Sequence, residues 1–198
     1  MNVVFDLGNV LLRWDPRFLY RKLFSREDEM EWFLAHVCSN AWNLEQDRGR
    51  SFAEAVRLLS LEFPDHAEAI SAYDSRWHET LPHAIEASVT ILEALHARSV
   101  PLYAITNWNG AKFRETKLRF AFLDRFRDIV VSGDEGLLKP DAAIYELFLN
   151  RNRLNAGDCL FIDDSLSNVR GAEALGMRAH HFTSPEKLDE ILSELKIL

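Results

Sequence analysis

A chain of 198 residues exceeds a minimal domain and is short for two full ones, which predicts one core domain carrying an insertion. With 47% hydrophobic and 11% aromatic residues it can bury a sizeable core, and no apolar run approaches the roughly 18 residues that a membrane span requires. A formal charge of −8, without a Lys/Arg block, disfavours nucleic acid and anionic membrane surfaces as partners.

The first apolar segment follows Met1 directly and leaves no room for a signal peptide, so a soluble, cytoplasmic protein is expected. Cys38 and Cys159 stand far apart without ligand spacing, which predicts reduced, buried thiols rather than a zinc site or a disulfide. Val3, Val4 and Phe5 end on Asp6, with Gly8 and Asn9 just beyond. That pattern predicts a short buried strand that delivers a carboxylate to its carboxyl tip and then turns.

From Trp14 to Leu81 no strand is expected. Met30, Phe33, Leu34 and Val37, then Phe52, Ala55, Val56 and Leu59, recur at helical spacing within 26–37 and 51–63. Asp47 to Ser51 supplies a break and an N-cap, and Phe63-Pro64-Asp65 supplies another, so 14–81 reads as an all-helical insertion. After Pro82, helices and short apolar strands alternate: helix 84–98 and strand 102–105, helix 110–121 and strand 129–131, helix 141–151 and strand 159–162, helix 166–175 and strand 178–181, then helix 186–195. Repeated βα units with right-handed crossovers require a doubly wound parallel sheet, an α/β core built from 1–13 and 82–198.

Four strand tips then carry polar groups to one edge of that sheet: Asp6; Thr106 and Asn107; the loop of Lys139, Pro140 and Asp141; and Asp163, Asp164 and Ser165. Two adjacent acids after a buried strand repel each other unless a cation intervenes. Asp163 and Asp164 facing Asp6 supply the hard oxygen ligands that Mg²⁺ prefers. Asp6 could attack phosphorus and carry it as an aspartyl-phosphate. Thr106 offers a hydroxyl, the turn from Asn107 to Gly110 opens a helix whose N–H groups could hold phosphate oxygens, and Lys139 ahead of Pro140 should add a point charge.

The set Asp6-Leu7-Gly8-Asn9-Val10, Ile105-Thr106-Asn107, the stretch from Gly133 to Tyr145 around Lys139-Pro140, and Phe161-Ile162-Asp163-Asp164 with the following segment to Ala172 resembles the four motifs of the haloacid dehalogenase-like (HAD) superfamily. The resemblance covers the whole chain. It is similar to the phosphatase-type branch that includes bacterial sugar-phosphate phosphatases and the N-terminal domain of mammalian soluble epoxide hydrolase. It implies a Rossmann-like core with 14–81 as its α-helical C1 cap, and a Mg²⁺-dependent phosphatase for a small soluble phosphate ester, a sugar phosphate in that branch. Residue by residue it implies Asp6 as nucleophile and metal ligand, the Gly8 carbonyl and Asp164 as further ligands with Asp163 beside them, and Thr106, Asn107 and Lys139 around the phosphoryl group. Asn168 falls near the metal shell.

One departure matters. Where the family's phosphatases have a second aspartate, two residues past the nucleophile, this chain has Gly8, and the usual group for protonating the leaving oxygen is missing. Asp15, in the same entry loop, is a substitute to consider. Without an acid, phosphates of acidic alcohols should be preferred over alkyl phosphates. Trp14 and Trp108 flank the motifs and could stack on a sugar, and Trp42 and Glu45 in the insertion should tune substrate preference. His180 and His181, on opposite faces of a strand, lack a third metal ligand in sequence. Two other activities compete: 2-haloacid dehalogenation, which needs no metal and is disfavoured by Asp163-Asp164, and a non-catalytic binding or regulatory role that only Gly8 supports. Monomer and homodimer both remain open.

Overall fold

The computed structural model describes residues 1–198. Five short strands, β1 (Asn2–Phe5), β2 (Leu102–Thr106), β3 (Asp128–Val131), β4 (Cys159–Asp163) and β5 (Arg178–His181), form one parallel sheet in the order β3-β2-β1-β4-β5. β1 is central because its residues are apolar on both faces: Val4 pairs with Tyr103 of β2 on one side and with Phe161 of β4 on the other. Period-two alternation divides the strands between two cores. Val3, Phe5, Ala104, Leu160 and Ile162 face one, and Val4, Tyr103, Ile105, Val130 and Phe161 face the other.

Helices α6 (Glu86–Ala97), α7 (Gly110–Lys117), α9 (Ala142–Asn152), α10 (Leu166–Ala174) and α11 (Pro185–Glu194) complete the crossovers, with a single-turn α8 at Ser132–Glu135. Their limits fall within a few residues of the alternation read from the sequence. The largest shift is at α7, which stops at Lys117 rather than 121 and gives way to a 3₁₀ turn at Ala121–Arg125. Pro140 does not open α9: that helix starts at Ala142 with Asp141 as its N-cap residue. The strand order turns at β1, so the crevice beyond the carboxyl ends of β1, β2 and β4 is where a ligand belongs in such a sheet.

Between β1 and α6 lie α1 (Arg17–Tyr20), α2 (Glu27–His36), α3 (Asn40–Asp47), α4 (Phe52–Glu62) and α5 (Ala67–Ser75), and no strand. Ser39 and Ser51 cap α3 and α4 by accepting from the N–H of Trp42 and Glu54. Tyr20, Phe33, Phe52, Tyr73 and Trp77 pack ring on ring, and this apolar cluster is continuous with one face of the sheet. The chain leaves and re-enters the core through two paired segments: Ile85 N–H donates to Leu11 (2.8 Å), Arg13 N–H to His83 (3.1 Å) and Asp15 N–H to Thr80 (2.9 Å). No helix is long and apolar enough to cross a membrane.

Candidate active site

The ends of β1 and β4 bring three carboxylates together. Asp6, Asp163 and Asp164 each offer an oxygen within 4.8 Å of the others. Lys139 arrives from the loop before α9, and its buried Nζ lies 2.9 Å from Asp6 Oδ1 and 2.7 Å from Asp163 Oδ2. A third bond to the Ile105 carbonyl at 2.9 Å uses the last ammonium proton, so Lys139 acts on its surroundings as an enclosed charge. The loop that carries it is fixed to β2 by an amide exchange: Asn107 Nδ2 donates to the Lys139 carbonyl (3.0 Å) and the Lys139 N–H donates to Asn107 Oδ1 (2.9 Å).

Asp163 is fully enclosed. Its Oδ1 accepts from the Ser165 N–H (2.8 Å), its Oδ2 from Lys139, and Asn168 Nδ2 reaches both oxygens at 3.1 Å. Asn168, expected near a metal, thus spends its amide on Asp163. Asp6 accepts from Lys139 and from the Leu7 N–H (2.7 Å) on Oδ1 and keeps Oδ2 without a protein donor, while Asp164 forms no ion pair. This donor set fits a hard dication, because two of the three acids retain uncompensated oxygens. Burial pushes the Asp6 carboxyl up to about 7 against the pull of Lys139, with Asp163 and Asp164 adding to the rise, and burial together with Asp163 raises Asp164. Lys139 is held above its ordinary value even though burial opposes its charge, because Asp163 and Asp6 outweigh that cost.

A cavity of about 230 Å³ opens over Asp6. The sheet edge contributes Gly8, Asn9, Asn107, Trp108 and Asp164, the entry loop Trp14, and the insertion Asn43, Asp47 and Trp77. Trp14 and Trp108 are at the wall, as their place beside the motifs implied, and Trp77 joins them; none of the three indole N–H groups has a partner. Thr106 and Lys139 do not line this cavity. Each is nearly inaccessible, and the Lys139 ammonium is screened by Asp6 and Asp163.

Four expectations change at the level of side chains. Asp15 is not at the wall of this cavity: its Oδ1 accepts from the Arg17 backbone (2.9 Å) and guanidinium (3.3 Å), and it lines neighbouring grooves, one of them shared with Asp164. The N-terminus of α7 is not open to an anion, since Asn109 Oδ1 already takes the N–H groups of Ala111 and Lys112. On α3 the inward residues are Asn43 and Asp47, while Glu45 is exposed and Trp42 packs against Phe52 and Tyr73. Both oxygens of Asp163 are engaged by protein donors, so the carboxylates left for a cation are Asp6 and Asp164. The i, i+4 spacing of Asn43 and Asp47 was the one sequence signal for a polar helix face, and nothing in it said what that face meets. His181 Nε2 meets the Asp164 carbonyl at 3.0 Å and His180 lies apart from the cavity.

A sequence model of the family described as haloacid dehalogenase-like hydrolase matches residues 42–182. The chain is 28% identical over 182 residues to sesquiterpene phosphatase astK of Aspergillus oryzae, a match that takes in 91% of this chain and 88% of that protein. It is also 28% identical over 200 residues to drimenol cyclase drtB of Aspergillus calidoustus, spanning 98% of this chain but about a third (35%) of that protein. Among solved structures, a HAD family enzyme of Bacteroides thetaiotaomicron in its magnesium complex superposes with a TM-score of 0.74 at 20% identity, over 96% of this chain and 97% of that one. The same enzyme with magnesium and inorganic phosphate gives 0.69 at 21% identity, over 92% and 93%. These two likenesses show the shared fold, and the family match extends it to sequence: the chain belongs to the haloacid dehalogenase-like hydrolases.

Proposed function

We propose that this protein is a Mg²⁺-dependent phosphatase that hydrolyses a small phosphate ester, best matched by a sugar phosphate, through an aspartyl-phosphate on Asp6. The observation that carries the reading is the carboxylate cluster, with oxygens of Asp6, Asp163 and Asp164 within 4.8 Å and an enclosed lysine between two of them. A dehalogenase that needs no metal has no use for so much gathered negative charge.

Asp6, the Gly8 carbonyl and Asp164 would hold the Mg²⁺, which when bound offsets the repulsion between these acids and the phosphate. Asp6 attacks phosphorus with its free Oδ2. Lys139 supplies fixed positive charge behind the phosphoryl group, Asn107 at the wall binds phosphoryl oxygens while the enclosed Thr106 backs that wall, and Asp163 with Asn168 keeps Lys139 in place. The segment 14–81 serves as a cap whose paired linkers let it open for substrate and close over the ester to exclude water.

The leaving group rests against indole rings and beside Asn43. Three unpaired indole N–H groups favour hydroxyl-bearing substrates, because a buried donor left unmatched costs about 1–3 kcal/mol. The same three rings give a prenyl phosphate a second claim, in keeping with a relative named as a sesquiterpene phosphatase, although a cavity of about 230 Å³ suits a compact ester better. A phosphate-release screen of hexose phosphates and prenyl phosphates, with Mg²⁺ and in EDTA, tests both. Release from hexose phosphates that stops in EDTA and in Asp6→Asn is the expected result. Turnover that survives either treatment refutes the mechanism, and turnover of prenyl esters alone replaces the sugar by an isoprenoid.

A further inference from the structure

Gly8 leaves no acid two residues past Asp6, so the proton for the leaving oxygen has to come from elsewhere in the cavity. Three acids line it: Asp6, Asp164 and Asp47. The first is the proposed nucleophile and the second belongs to the carboxylate cluster. Asp47 differs from both in origin and surroundings. It is the last residue of α3, reaches the cavity from the insertion, is buried and forms no ion pair.

Its side chain is oriented by a relay of neutral groups. Asn43 Nδ2 donates to Asp47 Oδ2 at 3.0 Å, and Asn43 Oδ1 accepts from the Tyr73 hydroxyl at 3.0 Å. Its backbone is fastened to the core: Ser132 Oγ donates to the Asp47 carbonyl at 2.6 Å, and Asn109 Nδ2 donates to the carbonyls of Gln46 and Arg50 at 3.2 Å. Asn109 and Ser132 follow β2 and β3, so the contacts that dock the insertion on the sheet also hold this carboxyl at the wall of the cavity it shares with Asp6.

We infer that Asp47 is the general acid and base of the hydrolysis, supplied by the insertion in place of the acid missing at Gly8. The role rests on the phosphatase reading. Burial pushes the Asp47 carboxyl up to about 7, with Asp6 adding to the rise and the Asn109 backbone N–H opposing it, so a proton is present near neutrality. In the first step an Asp6 oxygen bonds to phosphorus, the bond from phosphorus to the ester oxygen breaks, and the Asp47 proton passes to that oxygen to release the alcohol. In the second step Asp47, now a carboxylate, takes a proton from water as the water oxygen bonds to phosphorus. The bond to Asp6 then breaks, inorganic phosphate departs and Asp47 is protonated again.

The test compares kcat/KM for glucose 6-phosphate, a poor leaving group, with that for 4-nitrophenyl phosphate, a good one. Asp47→Asn should lower the first by about 10²–10⁴-fold and the second by less than about tenfold, the span that general acid catalysis usually covers. With the aryl ester the variant should also release one 4-nitrophenol per active site in a burst and then slow, because the base for the second step is gone. A Cβ placed on Gly8 meets no atom within 4 Å, so Gly8→Asp added to Asp47→Asn should restore at least about tenfold on the sugar ester. Asp47→Ser reads the same ratio should Asp47→Asn not fold. An equal fall on both esters, or no fall, overturns the role of Asp47 and leaves the phosphatase standing. A wild type active on the aryl ester alone also overturns it, and a wild type inactive on every phosphate ester overturns the phosphatase reading itself.

Discussion

The sheet edge and the inserted helices treat buried charge in opposite ways. At the edge, Asp163 has every oxygen matched by Lys139, Asn168 or a backbone N–H, and Lys139 has every proton matched in return. In the insertion, Asp47 is also buried but has only neutral partners, Asn43, the Asn109 backbone N–H and, through Asn43, Tyr73. The contrast teaches that the two halves of the cavity are built for different tasks. Compensated charge fixes geometry, whereas an acid with only neutral partners can hold a proton and give it away.

The largest expected effect removes the edge's chemistry outright: Asp6→Asn should abolish phosphate release, measured against a retained circular-dichroism spectrum and thermal midpoint. Lys139→Met strikes the compensation itself. Removing one member of a buried, hydrogen-bonded charge cluster typically costs about 3–5 kcal/mol, so denaturant unfolding should show a loss of that order. Mg²⁺ should recover part of it, because a dication can replace the missing positive charge between the acids. A loss below about 1 kcal/mol, or one that Mg²⁺ leaves unchanged, would break the picture of a compensated edge.

Asp47→Asn should show the opposite sign. Burial pushes the Asp47 carboxyl up to about 7, so its contribution to stability is full only below the ordinary aspartate value of 3.8 and is lost progressively as pH rises from there through about 7. Asp6, just past β1, and Tyr73 on α5 are the titratable groups that share its field. The asparagine variant carries no such penalty, so its midpoint relative to that of the wild type should rise with pH, the gain already begun at pH 5 and complete only above about 7. For a chain of this size each kcal/mol corresponds to about 2–4 °C. A smaller effect is expected from Tyr73→Phe, which removes the hydroxyl that orients Asn43 and should cost about 0.5–1.5 kcal/mol. If Tyr73→Phe also lowers turnover of glucose 6-phosphate more than that of 4-nitrophenyl phosphate, the relay to Asp47 is sharpened to a positioning role for Tyr73; equal loss on both would leave that hydroxyl a purely structural part.

The alternation of short strands with helices was enough to specify the parallel sheet, because strand and helix periods are local and the three inner strands β1, β2 and β4 are buried on both faces. That sheet in turn dictates which tips share an edge, so Asp6, Thr106, Asn107, Lys139, Asp163 and Asp164 could be gathered from sequence alone. The strand tips, however, do not reveal which atoms remain free after the neighbours have bonded: Asp163 and Lys139 satisfy each other, and Asn109 closes the helix end that looked open. For the insertion the sequence determined helices and their caps but not what they face. Asp15 lies near Asp6 in the chain, yet it bonds Arg17 and is not at the wall of the cavity. Asp47 reaches the cavity through a hydrogen bond to Ser132, which is 85 positions away along the chain. Helical periodicity defines a face, but only docking against the sheet decides what that face meets, and that is why the place of Asp47 at this cavity was legible only in the tertiary structure.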